Sequence, residues 1–158
     1  MINIEIEMLC GDIIKAELYP DIAPNTVENF VRLIKGNFFD GLIFHRVIKG
    51  FMIQGGGYDA AGNHIDAATI KGEFASNGFK NDLKHTRGVL SMARTMFPDS
   101  ASSQFFIMHQ DAPHLDGQYA AFGKVTEGME AVDKIAECKT DLSDAPIEKQ
   151  IIKTIRLA

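Results

Sequence analysis

The first eighteen residues alternate between apolar and polar positions. Every second side chain is apolar in residues 2–8 and again in residues 14–18, and the turn-forming Cys10-Gly11-Asp12 lies between the two segments. A period of two is typical of a strand that buries one face. The pattern therefore predicts an amino-terminal β-hairpin.

Two later segments have the spacing of an amphipathic helix. In residues 24–35 a proline opens the segment, a glycine follows it, and the apolar positions at i, i+3, i+4 and i+7 are Val27, Phe30, Val31 and Ile34. A second helix is predicted after Thr126, which would serve as its N-cap, with Glu127 and Glu130 near the positive end of the helix dipole. The chain is thus expected to contain two helices.

The rest of the chain predicts several short strands. The candidates are residues 43–48, 52–54, 89–92, 104–108, 121–124 and 151–157. Two helices and many strands without βαβ alternation indicate a mainly β protein with an antiparallel sheet, and composition does not decide between a barrel and a sandwich. Residues 55–88 carry seven glycines and no periodic element. An irregular segment of this length in a compact domain usually has a function, and we expect it to form part of the wall of a binding groove.

Composition narrows the class of protein. A chain of 158 residues fits one domain, here residues 1–158, and can bury a core without staples. The net charge of −5 argues against a nucleic-acid binder, and the basic residues between Lys80 and Arg87 are interpreted as a solvated surface. No stretch is apolar enough for a membrane span or a signal peptide. Two distant cysteines favour a reducing compartment, so we expect a cytoplasmic protein.

Residues 44–57 carry the most informative chemistry. Arg46 and Gln54 are eight residues apart and would share one face of an antiparallel strand pair, and Phe51 and Met52 would add an apolar wall. A permanent cation beside an apolar pocket suits a neutral substrate whose electrons must be polarised. The five histidines form no metal-binding spacing, and the Gly55-Gly56-Gly57 run lacks the residues of a phosphate loop.

Several blocks of the sequence resemble the cyclophilin family of peptidyl-prolyl isomerases. They are residues 44–57, Leu90-Ser91-Met92-Ala93-Arg94, residues 103–107 and residues 114–125, and they fall in the order and spacing of that family. The resemblance spans about residues 2–157. It implies a closed eight-stranded barrel capped by two helices, and an enzyme without a cofactor that isomerises X–Pro bonds in proline-containing peptides and in unfolded or partly folded proteins.

The resemblance also assigns the site residues. It implies catalytic roles for Arg46, Gln54 and Phe51. The substrate-binding residues that it implies are Met52, Ala93, Arg94, Thr95, Gln104, Phe106, His114, Leu115 and Tyr119. Of these, Phe51, Met52, Phe106 and Leu115 would hold the proline ring, and the backbone of residues 93–95 would pair with the substrate as a strand does.

The chemistry agrees with that assignment. Rotation about an X–Pro bond crosses a barrier of roughly 18–20 kcal/mol because amide resonance is lost. In the twisted amide the proline nitrogen gains a lone pair, to which the guanidinium of Arg46 would donate a hydrogen bond. A 10⁵-fold acceleration needs about 7 kcal/mol, and one charge-assisted hydrogen bond supplies only ~1.5–3 kcal/mol, so desolvation and other preorganised groups must add the rest. The alternative is a surface arginine in a salt bridge.

Three positions depart from the family pattern. Many relatives have Asn at the position of Arg94, Trp at that of His114 and His at that of Tyr119. The indole contributes to cyclosporin binding in those relatives, so we predict that this chain binds cyclosporin more weakly. Two rival functions stay open: a module that binds proline-containing peptides without turnover, and a scaffold whose partner surface lies elsewhere. We also expect a monomer.

Overall fold

The computed structural model describes all residues from 1 to 158 and contains eight strands and two helices. The strands are β1 (Ile2–Met8), β2 (Ile13–Leu18), β3 (Leu42–Ile48), β4 (Met52–Asp59), β5 (Val89–Met92), β6 (Phe105–Met108), β7 (Ala121–Glu127) and β8 (Ile152–Leu157). The helices are α1 (Pro24–Lys35) and α2 (Met129–Ala136), and single 3₁₀ turns lie at Ala75–Asn77 and Pro113–Leu115. Neither helix has the length and apolar composition that crossing a bilayer requires.

The eight strands form one antiparallel sheet that curls into a nearly closed barrel. Their order is β3-β4-β6-β5-β7-β2-β1-β8. The two outer strands meet through a bridge between Ile43 and Ile151, beside which the amide of Phe44 donates to the carbonyl of Gln150 at 3.0 Å. Closure leaves almost no unpaired edge. The predicted mainly β fold, an eight-stranded barrel with two helices packed on it, is confirmed.

The barrel interior is filled by the alternating apolar residues of the strands. The inward positions of β1 and β2 are almost fully buried, which confirms the predicted amino-terminal hairpin. Helix α1 buries Phe30 against the rings of Phe39, Phe105 and Phe122, with centroid separations of 5.0, 5.2 and 5.0 Å. These tilted and edge-on pairs are favourable arrangements for aromatic rings. They fix α1 over one end of the barrel.

Helix α1 receives its N-terminal cap from a distant loop. Ala23 precedes the helix and offers no side-chain acceptor, and the first turn holds no acid. The buried carboxylate of Glu73 instead accepts from the amide and the hydroxyl of Thr26, both at 2.7 Å, and from the amide of Asn25 at 3.3 Å. An anion at this position satisfies orphan amides and complements the helix dipole. The loop between β4 and β5 is thereby tied to the barrel.

Two sequence predictions about element bounds are wrong. Helix α2 begins at Met129, because β7 continues to Glu127 to pair with Lys15, and Thr126 therefore belongs to the strand. The turn into α2 is made by Gly128 at φ 89°, where any Cβ would collide with the carbonyl oxygen of Ile13. Strand β4 extends to Asp59 through the Gly55-Gly56-Gly57 run, so the irregular stretch starts later than predicted. A Cβ at Gly55, Gly56 or Gly57 would collide with atoms of neighbouring segments, so the three glycines allow those segments to approach β4 closely.

Candidate active site

The register of β3 and β4 places Arg46 directly opposite Gln54. The guanidinium donates to the Gln54 side-chain oxygen at 3.4 Å, and the Gln54 amide donates to the Gln104 side-chain oxygen at 3.0 Å. Gln104 lies over Gly57, where a Cβ would collide with its side chain. The three polar side chains therefore form a connected row along the sheet, and the predicted shared face of Arg46 and Gln54 is present.

Arg46 is an exposed residue whose charge has no counter-ion in this chain. No carboxylate lies within 4 Å of its guanidinium, and its one side-chain hydrogen bond is the long contact to Gln54. The geometry does not support the alternative interpretation of Arg46 as a salt-bridge residue. Its remaining donors are free to contact a ligand in the groove that it lines with Phe51 and Phe106.

The apolar wall of that groove comes from a second, smaller cluster outside the main core. Met52, Phe106 and Leu115 are 2%, 5% and 7% exposed and pack together in it, with the partly buried Phe51 against them. Strand alternation puts Phe105 on the opposite face, in the main core. Phe105 therefore serves the core, and Phe106, which the resemblance assigns to the proline pocket, faces the groove.

The groove has a volume of about 470 Å³ and is an open cleft of the barrel wall. Its lining residues are Arg46, Phe51, Met52, Gln54, Ala93, Arg94, Phe106, His114, Leu115 and Tyr119. Two predicted residues, Thr95 and Gln104, lie outside it and line an adjoining groove that shares Gln54, Ala93 and Arg94 with the first. Every predicted site residue therefore lines one continuous surface of two connected grooves.

Arg94 has unpaired backbone groups in the segment that is predicted to pair with the substrate. The amide and the carbonyl of Arg94 form no hydrogen bond within the chain, although the amide of Ala93 on one side donates to Gln104 and that of Thr95 on the other donates to Ser100. A free donor and a free acceptor on the same residue are what an added β-strand uses.

Sequence reasoning missed His85, which supports the ring of Phe106 together with the predicted Tyr119. The ring of His85 stacks on that of Phe106 at 6.1 Å, and Tyr119 meets it edge-on at 5.7 Å. His85 is buried, with Nδ1 3.1 Å from the carboxylate of Asp116 and Nε2 2.8 Å from the hydroxyl of Ser91. Burial lowers the pKa of His85, and the hydrogen bond to Asp116 only partly offsets this effect, which favours the neutral imidazole.

The basic patch predicted between Lys80 and Arg87 is therefore not a solvated surface throughout. His85 is inside the protein, and the guanidinium of Arg87 forms two hydrogen bonds of 2.7 Å to the carboxylate of Asp133 on α2. No sequence signal marks these partners, because Asp133 is 46 residues from Arg87 and Asp116 is 31 residues from His85. Their contacts exist only after the barrel has closed.

Comparison with known proteins agrees with this geometry. The family described as "Cyclophilin type peptidyl-prolyl cis-trans isomerase/CLD" matches residues 1–157. A peptidyl-prolyl cis-trans isomerase of Acinetobacter baylyi is 47% identical over 96% of this chain and 82% of its own length. Another, from Schizosaccharomyces pombe, is 42% identical over 99% of this chain and its full length.

Solved structures show the same fold. The crystal structure of a Cryptosporidium parvum cyclophilin type peptidyl-prolyl cis-trans isomerase, in the presence of the dipeptide Ala-Pro, superposes with a TM-score of 0.84. It is 33% identical and covers 99% of this chain and 98% of its own. The chain thus belongs to the cyclophilin-type peptidyl-prolyl cis-trans isomerases, the enzymes that accelerate rotation about X–Pro peptide bonds.

Proposed function

We propose that the two connected grooves bind an extended X–Pro segment and that Arg46 stabilises its twisted amide. The observation that carries this proposal is the Arg46 guanidinium, which has no counter-ion and faces the same groove as the Phe106 ring. The proline ring would rest on Met52, Phe106 and Leu115, since a compact apolar ring suits aromatic and thioether walls. The Ala-Pro dipeptide in the Cryptosporidium parvum crystals supports this choice of ligand.

Rotation about the X–Pro bond requires no nucleophile and no proton transfer to solvent. As the amide twists, the proline nitrogen becomes pyramidal, and a guanidinium hydrogen bond to its lone pair stabilises the twisted state over both planar states. The row of Gln54 and Gln104 offers donors and acceptors to the peptide groups on either side. Backbone pairing with the free amide and carbonyl of Arg94 would hold the segment extended while the amide rotates.

The proposal is tested by exchange NMR on a short Ala-Pro peptide, which measures cis/trans interconversion without a coupling enzyme. Removing one charge-assisted hydrogen bond worth about 1.5–3 kcal/mol predicts that Arg46→Ala lowers the catalysed rate by about 10- to 150-fold. Lys153→Ala, which removes an exposed cation on β8, is the matched control and keeps the wild-type rate.

The possible outcomes separate the rival functions. Acceleration by wild type and loss in Arg46→Ala support the assignment. Peptide binding without acceleration by wild type would instead indicate a binding module. Equal acceleration by both proteins would remove Arg46 from the mechanism.

Weak cyclosporin binding belongs to the same proposal. The imidazole of His114 lies 5.8 Å from the ring of Phe51 at the groove edge, where many relatives place an indole. A smaller ring with less apolar area offers less contact to an apolar cyclic peptide. We expect His114→Trp to lower the cyclosporin concentration needed for half-inhibition, and an unchanged value in that variant would contradict the assignment.

We further propose that the clients are unfolded or partly folded polypeptides and that the enzyme is a cytoplasmic monomer. Two free cysteines, one of them exposed, support a reducing compartment. The most exposed large apolar side chains all lie outside the helices and strands, and none belongs to a sheet or helix face, which supports a monomer; they are Met1, Leu9, Met96, Phe97, Leu142 and Ile147. Sedimentation at increasing concentration tests the monomeric state, and cell fractionation tests the cytoplasmic location. Acceleration of a proline-limited refolding reaction tests the proposed clients.

A further inference from the structure

The side chain of Arg94 is a second cation in the groove and, like Arg46, has no carboxylate partner. Its acceptors are all neutral carbonyls: Nε and Nη2 donate to the oxygen of Gln118 at 3.2 and 2.7 Å, and Nη1 donates to the oxygen of Thr95 at 2.9 Å. A guanidinium has five N–H groups, so two remain unused. The charge is therefore held in place without being neutralised.

The position of the guanidinium is fixed by aromatic rings. Its central carbon lies 4.7 Å from the ring centroids of both Phe74 and Tyr119. Stacking of this kind orients a planar cation and reduces the entropy lost when it binds an anion. Arg94 is thus preorganised at the junction where the two grooves meet.

The other charged groups of the grooves leave this positive charge uncompensated. Asp66 is the one carboxylate that lines either groove, and its Oδ1 lies 2.8 Å from Nδ1 of His64. Arg46 and Arg94 both lack counter-ions in a protein whose net charge is −5. The catalytic surface is therefore locally cationic in an acidic protein, a distribution that attracts anionic ligands.

Geometry places the side chain of a bound substrate beside Arg94. If the substrate backbone pairs with the free amide and carbonyl of Arg94, the residue opposite it brings its Cβ within about 4.5–5.5 Å of the Arg94 Cβ. Tyr119 contacts both Phe106 and Arg94, so the guanidinium is within roughly 10 Å of the proline pocket, or about three residues of extended chain.

We propose that Arg94 is a specificity-determining residue that selects substrates with an acidic side chain within three residues of the proline. The inference rests on the proposed binding of the X–Pro segment in these grooves. It names a substrate class, peptides in which Asp or Glu lies close to proline, and it assigns the selection to a residue that takes no part in twisting the amide.

The test compares peptides that differ by one charge. A neutral X–Pro peptide with Gln at each of the three positions on either side of the proline is the reference, and Gln is replaced by Glu at one position at a time, at pH 7. Exchange NMR gives kcat/KM and chemical-shift titration gives Kd for wild type, Arg94→Gln, Arg94→Lys and the remote control Lys35→Gln. The Glu/Gln ratio is formed within each protein, so a general loss of activity in a variant cancels.

The expected result is a preference for Glu of about 3- to 5-fold at one position in wild type, the size of one partly exposed ion pair, which declines towards unity in 0.5 M salt. Arg94→Gln loses this preference, Arg94→Lys keeps a smaller part of it because the charge remains without the stacking, and Lys35→Gln retains it in full. Equal kcat/KM and Kd for all peptides in wild type would overturn the inference, and so would a preference that persists in Arg94→Gln. With either of these two results, acceleration of the neutral peptide by wild type would still support the proposed isomerase site.

Discussion

The distant cap of helix α1 gives a quantitative prediction about stability. Glu73 is 1% exposed, and its carboxylate accepts three hydrogen bonds from the first turn of α1. Glu73→Gln keeps the shape of the side chain but removes the charge and turns a donor towards the amide of Asn25. Bonds to a charged acceptor exceed neutral bonds by about 1 kcal/mol each, and the lost interaction with the helix dipole adds up to ~2 kcal/mol.

The net loss is smaller than that sum, because the neutral amide is cheaper to bury than a carboxylate. We expect Glu73→Gln to lower the free energy of unfolding by about 2 kcal/mol and the melting temperature by about 4–8 °C for a chain of this size. Glu73→Ala leaves the same donors buried without an acceptor and should cost about 3–5 kcal/mol.

Urea unfolding followed by circular dichroism measures these differences, and Glu28→Gln on the exposed face of α1 is the control. The variant Thr26→Val completes a double-mutant cycle with Glu73→Gln, and the coupling energy should be about 1 kcal/mol or more. A Glu73→Gln protein within 0.5 kcal/mol of wild type, or a control that loses as much, would refute the reasoning.

Three further predictions concern groups outside the groove. Burial and the neighbouring Arg46 lower the pKa of His45 to about 4, so below pH 6.5 the unfolded chain binds a proton that the folded chain does not, and the free energy of unfolding falls as the pH drops from 6.5 towards 4. In urea unfolding, His45→Gln should therefore lose less stability than wild type between pH 7 and pH 5. Identical losses in the two proteins would contradict this. Gly128→Ala should destabilise the folded protein by about 2–4 kcal/mol because the added Cβ meets the carbonyl of Ile13. Gly62→Ala has the same φ of 89° but open space around the added Cβ, and it should cost only about 1 kcal/mol. Equal melting temperatures for the two variants would exclude the collision. The half-exposed pair of Arg87 and Asp133 should show a coupling energy of about 1 kcal/mol in a double-mutant cycle, and a value near zero would mean that it does not anchor α2.

The residues that line the grooves could be predicted from the sequence more completely than the buried residues that support them. Arg46, Met52, Gln54 and Phe106 lie on strands whose alternation is visible in the sequence, whereas the other groove residues lie in turns and loops, which have no such periodicity. Alternation also puts Phe105 and Phe106 on opposite faces. His85 could not be assigned, because its neighbours in the chain are polar and basic and suggest solvent. Only in the folded protein do Ser91 and Asp116 approach from other segments and form hydrogen bonds with its two ring nitrogens, which offset the cost of burying the imidazole.

Local periodicity determined the hairpin, helix α1 and the short strands, since each of these depends on spacing within a few residues. Family resemblance in separate blocks identified the groove residues. The fold decided what depends on residues far apart: the bridge from Ile43 to Ile151 that nearly closes the barrel, the capping of α1 by Glu73, and the start of α2 just after Gly128. Contacts between distant segments form only when the ends of long loops are brought together, and the pattern within one segment does not specify which residue of another segment it will contact.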